Sequence, residues 1–302
     1  LYEPNVFIRG QPNRIGDKVP RQFLKVLDSN RQSFIKGSGR LELAKSIASN
    51  SNPLTSRVFV NQVWAHHFGN GLVGTLGDFG VRGDLPTHPE LLDWLAMNFM
   101  ENNWSIKKLH KVIVTSNTYK QSSNDREDCL KVDPENKLLW KQNRRRLDFE
   151  SFHDSVLSVS GSLDLKLGGP SVPFFTGKNR RAVYGFIDRL DFPSLLATFD
   201  IPNPASSSVE RTSTTVATQA LYLMNGPFVR EAAKKVLNLN TIKVIKSTDQ
   251  KADAIMLAVL CRKPTAKEKL QMINFVMGSN ENEAWLDLTH GLFLTNEFAF
   301  VD

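Results

Sequence analysis

Two carboxylates, a guanidinium and an imidazole fall together in DFGVRGDLPTH, residues 78–88. Asp78, Asp84 and His88 are side chains that move protons. A carboxylate can orient an imidazole, and either group can take a proton from a substrate hydroxyl or a water. Arg82, between them, can hold an anionic substituent through its N–H donors. The same residues also have a structural use: Asp78 and Asp84 can cap turns while Arg82 ties the glycine-punctuated loop by charge-assisted hydrogen bonds. The tripeptide DFG occurs in protein kinases, but here no HRD loop and no glycine-rich phosphate loop accompany it.

A second cluster is NRRRLDFESFHD, residues 143–154, in which Arg144, Arg145 and Arg146 precede a helical pattern. Cations there oppose the positive end of a helix dipole, and Asp148 and Glu150 offset them. The arginines read either as a site for an anion or as struts to carboxylates and carbonyls. As struts they would anchor the 78–88 loop against the helix beginning near Asp148, with Asp78 or Asp84 as partner. His66 and His67 are adjacent, so on a helix they point about 100° apart and cannot serve one metal from one face. His67 shares the apolar face of Val60, Val63, Trp64 and Phe68 and reads as a packed, hydrogen-bonded histidine. The loop from Ser206 to Thr215 carries Glu210 and Arg211 but lacks GxSxG, and no histidine follows until His290. A serine-hydrolase triad has no support there.

The elements that must position these groups are mainly helical. Asn52 and Pro53 open a helix that Gly69 closes, THPE (87–90) and TAKE (265–268) have capping-box form, and Asp148 caps the stretch after the arginines. Residues 1–37 read as an extended basic arm with a short strand near Val6–Arg9. Residues 38–302 read as a single mainly helical domain. Within it, residues 161–215 are an irregular wrapping segment, with a small β element near 182–189.

Composition narrows the function. The net charge of +7 is uneven: residues 1–50 hold nine Lys/Arg against four Asp/Glu, giving +5. No zinc-finger spacing, basic zipper or RNA-binding aromatic motif goes with that charge, so nucleic acid is not the expected partner. Cys129 and Cys261 form no CxxC pair, which argues against a structural zinc or an attached c-type haem in this segment; their pairing with each other stays open. No apolar run of about 18 residues could span a membrane. The start at Leu1, without Met or signal peptide, suggests a piece of something longer.

Several long segments carry a family resemblance. They include SRVFVNQVWAHHFGNGLVGTLGDFG, THPELLDWLA, WSIKKLHKVIVTSNTYKQSS, NRRRLDFESFHDSVLSVSG, RRAVYGFIDR and TTVATQALYLMNGPFV. In this order the chain resembles a planctomycete-type secreted C-terminal domain, domain of unknown function 1553. That domain usually follows a cytochrome-c-like domain in large exported proteins. The resemblance implies a periplasmic or cell-surface location and haem on a neighbouring domain or subunit, with no catalytic residues to carry over. The chain departs from the family pattern at Ala217, where a proline is usual, and at Arg211, which stands alone where a pair is usual.

The expectation is therefore a non-enzymatic structural or interaction module of an exported, cytochrome-associated multidomain protein. It would bind other domains or subunits of that assembly and hold no cofactor or metal itself. The alternative is a periplasmic enzyme or binding protein for polysaccharide-type substrates, sulfated ones included, using Asp78, Asp84 and His88 with Arg82 or Arg144.

Overall fold

Asn5 Nδ2 donates to the Gly16 carbonyl at 2.8 Å, and two short strands close around that bond. These are β1 (Asn5–Phe7) and β2 (Ile15–Lys18), an antiparallel hairpin with Phe7 opposite Ile15. The computed structural model describes residues 3–30, 32–278 and 280–301; the part of the arm at residues 1, 2 and 31 lies outside them. The arm is tied to itself by Arg21, which pairs with Glu3 at 3.0 Å and donates to the Gly37 carbonyl. The chain then divides into two compact units, residues 1–143 and 144–302, where sequence patterning placed no boundary.

The first unit continues with α1 (Arg40–Ile47), α2 (Pro53–Phe68), α3 (Pro89–Glu101), α4 (Ile106–Thr115) and α5 (Glu127–Val132). Asn52 Oδ1 accepts the Leu54 amide at 3.1 Å, Pro53 lacks the amide a first turn would leave unpaired, and Gly69 stops α2 at φ 86°. One face of α2 buries Val60, Val63, Trp64 and Phe68 against Leu92, Leu95 and Phe99 of α3 and Leu109 and Ile113 of α4. Each such side chain, fully buried, stabilises the unit by about 1.5–3 kcal/mol. The capping box expected at THPE does not form. Pro89 occupies the first turn of α3, so the cap falls on His88, and the Thr87 hydroxyl bonds the Leu72 carbonyl instead.

The second unit opens with β3 (Arg145–Arg146) and α6 (Phe149–Val159), the latter capped by Asp148, which accepts the Ser151 amide at 2.7 Å. After the irregular segment come α7 (Ser194–Thr198), α8 (Ala217–Asn225), α9 (Pro227–Leu237), α10 (Asn240–Lys243), α11 (Thr248–Leu260), α12 (Ala266–Met277), α13 (Glu281–Phe293), α14 (Asn296–Ala299) and β4 (Phe300–Val301). Strand β4 pairs antiparallel with β3. Helices α6, α9, α11, α12 and α13 share a core built on Val156, Ile255, Trp285 and Phe293. A smaller cluster, with Leu196, Phe199 and Ile201, covers Phe149 and uses the irregular segment to bury the start of α6. The fold is mostly α. Where a β element was expected near 182–189, the chain makes a 3-10 turn at Ala182–Tyr184 and a single bridge between Val172 and Gly185.

Candidate functional site

The 78–88 loop is held by a hydroxyl. Thr75 Oγ1 donates to the Asp78 carbonyl at 2.8 Å and accepts the Asp84 amide at 2.9 Å. Asp78 Oδ1 accepts the Gly80 amide at 2.8 Å, so one of its oxygens is fixed within the turn. Gly83 backs against the Asp78 carbonyl so closely that a Cβ would collide with backbone. His88 Nδ1 lies 2.9 Å from its neighbour's hydroxyl, Thr87 Oγ1. Arg82 is exposed and makes no ion pair or hydrogen bond among the described residues, so it does not tie the loop. Asp84 lines a cleft of about 720 Å3 together with Trp64, Glu135 and Lys137, and the other three do not line it. Lys137 pairs with Glu135 at 2.7 Å. That cleft therefore does not gather the acid–base trio Asp78, Asp84 and His88.

Two of the three arginines are in a strand, and none of the three is helical. Arg145 and Arg146 form β3, where successive side chains point to opposite faces. Arg146 Nη1 donates to the Thr214 carbonyl at 2.7 Å and to Gln219 Oε1 at 2.8 Å, in place of the aspartates expected as its partners. Arg211 takes the carboxylates here, pairing with Glu150 at 2.8 Å while its other nitrogens donate to the Asp200 and Phe199 carbonyls. Asp200, at a left-handed φ of 60°, accepts the Thr214 amide and hydroxyl. The Ser/Thr-rich loop that looked merely polar is therefore pinned at Arg211 and Thr214, beside a cleft of about 470 Å3 lined by Arg146, Phe149, Phe199, Arg211 and Met224. Arg144 is exposed.

His66 faces solvent and His67 is half-buried, its Nε2 2.7 Å from His110 Nδ1. Among the described residues no group of three or more His, Cys, Asp or Glu is placed to hold a metal. Cys129 and Cys261 are free thiols.

The arm presents a different kind of surface. Phe7 and Ile15, cross-strand partners, are 52% and 66% exposed, and Leu24, Val26 and Ile35 are exposed as well. The family model PSD1, described as protein of unknown function (DUF1553), matches residues 39–276. The chain belongs to this family. No curated protein and no solved structure matches it. The β1–β2 hairpin lies before the span that the PSD1 model matches, whereas the 78–88 loop and the cleft beside it lie inside that span.

Sequence reasoning passed over one further pair inside the PSD1 span. His153 and Asp154 are neighbours on α6, and neighbours on a helix normally diverge. Here His153 Nδ1 and Asp154 Oδ1 are 3.2 Å apart beside an aromatic cavity. The only sequence signal was a buried-face position: His153 falls four residues after Phe149 and three before Val156.

Proposed function

We propose that the chain is a non-catalytic interaction module of an exported, cytochrome-associated assembly, and that it docks through its N-terminal arm. The observation that carries this reading is the exposed Phe7–Ile15 pair on a two-stranded hairpin. A lone hairpin is marginal in water, and grouped exposed apolar side chains mark a surface that another protein covers. The excess of +5 in residues 1–50 points to an acidic partner surface with an apolar centre. The resemblance to exported planctomycete-type proteins supplies the partner's kind, a neighbouring haem-bearing domain of the same assembly.

The test is a titration of the chain with that haem-bearing domain, followed by calorimetry at low and high salt. Binding is expected to weaken with salt and to fall at least about tenfold in the double variant Phe7→Glu, Ile15→Glu, as for an apolar anchor at the centre of an interface. Failure of the unaltered chain to bind, or an unchanged affinity in the variant, would end this reading.

A further inference from the structure

We propose that the cavity between α6, α9 and residues 172–185 is a binding site for an acidic sugar residue, a pyranose ring that carries hydroxyls and a carboxylate or sulfate. The cavity measures about 270 Å3, at the small end for ligand pockets and suited to one ring more than to a long chain. Its walls are aromatic. Phe228 of α9 lies parallel on His153, with centroids 5.1 Å apart and planes 4° apart. Phe174 stands edge-on to His153 at 5.7 Å, and Phe175 edge-on to Phe228 at 5.2 Å. Phe175 holds a left-handed φ of 62°, uncommon for a bulky residue, and is 40% exposed. Gly185 gives Phe174 its place, because any side chain there would occupy the space of that ring.

Against these rings His153 sets an oriented polar group. His153 is 5% exposed, and its Nδ1 faces Asp154 Oδ1 at 3.2 Å. Asp154 is itself fixed by the Ala182 amide at 2.7 Å and by Arg181 Nε at 3.4 Å, so it is an acceptor-only partner and keeps the proton on Nδ1. Burial holds the imidazole below its ordinary pKa and therefore neutral at pH 7. Nε2 then carries a lone pair. It has no hydrogen-bond partner among the described residues, in a side chain that lines the cavity. An acceptor that opens into the cavity is placed to take an O–H or N–H donor from a ligand.

The rim supplies the charge. Lys178 and Lys235 line the opening, are exposed, and make no ion pair or hydrogen bond through their side chains among the described residues. The carboxylate at the rim, Glu231, is paired with Lys234 at 2.6 Å. Cationic ligands are thereby disfavoured and an anionic substituent is favoured. A flat aromatic acid would satisfy the lysines and the rings but leave His153 Nε2 without a donor. A sugar acid meets all three demands: C–H face on the rings, hydroxyl to Nε2, anion to the lysines.

The test titrates the full chain with three oligosaccharides: a sulfated galactan, an oligogalacturonide, and the neutral galactan as control. At least one acidic oligosaccharide is expected to bind at least about ten times more tightly than the neutral one, and whichever acidic form binds names the substituent. The double variant Lys178→Ala, Lys235→Ala alters exposed side chains and should lose at least about tenfold for the acidic ligand, since even one charge-assisted contact is of that order. His153→Phe should abolish binding while retaining the stack on Phe228. Equal affinity for the neutral and acidic forms, no binding by any, or a lysine variant that binds as well as the parent would overturn the proposal.

Discussion

Asn61 makes the case for reading single residues by what their atoms touch. It is fully buried in α2, and its amide donates to the Val73 carbonyl and accepts the Val73 amide, both at 2.9 Å. One side chain thus closes both polar groups of a residue that no helix or strand serves. Gly71 must lie close by, since a Cβ there would come within 2.7 Å of Asn61 Nδ2. Replacement Asn61→Leu keeps the γ-branched shape and leaves two buried backbone groups unpaired, which should cost about 2–4 kcal/mol. Urea unfolding measures it directly, and a loss under about 0.5 kcal/mol would mean that solvent reaches Val73 after all.

Among elements, the junction before α12 shows how a capping motif becomes an ion-pair node. Thr265 and Glu268 form the capping box read from TAKE, and Arg262 bridges Glu268 at 2.8 Å and Glu297 at the start of α14. The Arg262 guanidinium first, and then the Thr265 amide and hydroxyl, pull the Glu268 carboxyl from its ordinary 4.5 down to about 2. A folded-state pKa below the unfolded one stabilises at pH above 4.5, and the stabilisation fades as pH falls toward 2. The side chain is 33% exposed, so its contribution is discounted to roughly 1 kcal/mol. Glu268→Gln should lower stability at neutral pH and flatten its decline between pH 4.5 and 2. Parallel curves of midpoint against pH for variant and parent would show that the bridge does not carry that titration.

For the whole molecule, the relevant fact is that each unit has its own core. Residues 60–113 close one around Trp64, Phe68 and Phe99; residues 152–298 close another around Trp285 and Phe293. A segment that buries its own apolar face meets the requirement for folding alone. Residues 144–302 expressed by themselves should give a helical circular-dichroism spectrum and one cooperative melting transition. A gradual, non-cooperative loss of signal would show that the second core depends on the first unit.

The sequence by itself determined what depends on neighbours in the chain. Asn52–Pro53, Gly69, Asp148 and the Thr265–Glu268 box stand where patterning placed them, because caps and periodicity act over three or four residues. The THPE box failed for an equally local reason, Pro89 taking the first helical turn. The family, too, was legible, because long ordered motifs survive in one dimension. Tertiary structure alone decided the partners. Arg146 meets Thr214 and Gln219, Arg211 meets Glu150, and Phe174 and Phe228 close on His153, across 21 to 75 residues of chain. Nothing in local spacing encodes which of many carbonyls a guanidinium will reach, or that Ala182 will turn Asp154 toward its own neighbour. Those choices are made when the irregular segment packs on α6, where burying Phe149 and satisfying each buried polar atom have to be solved together.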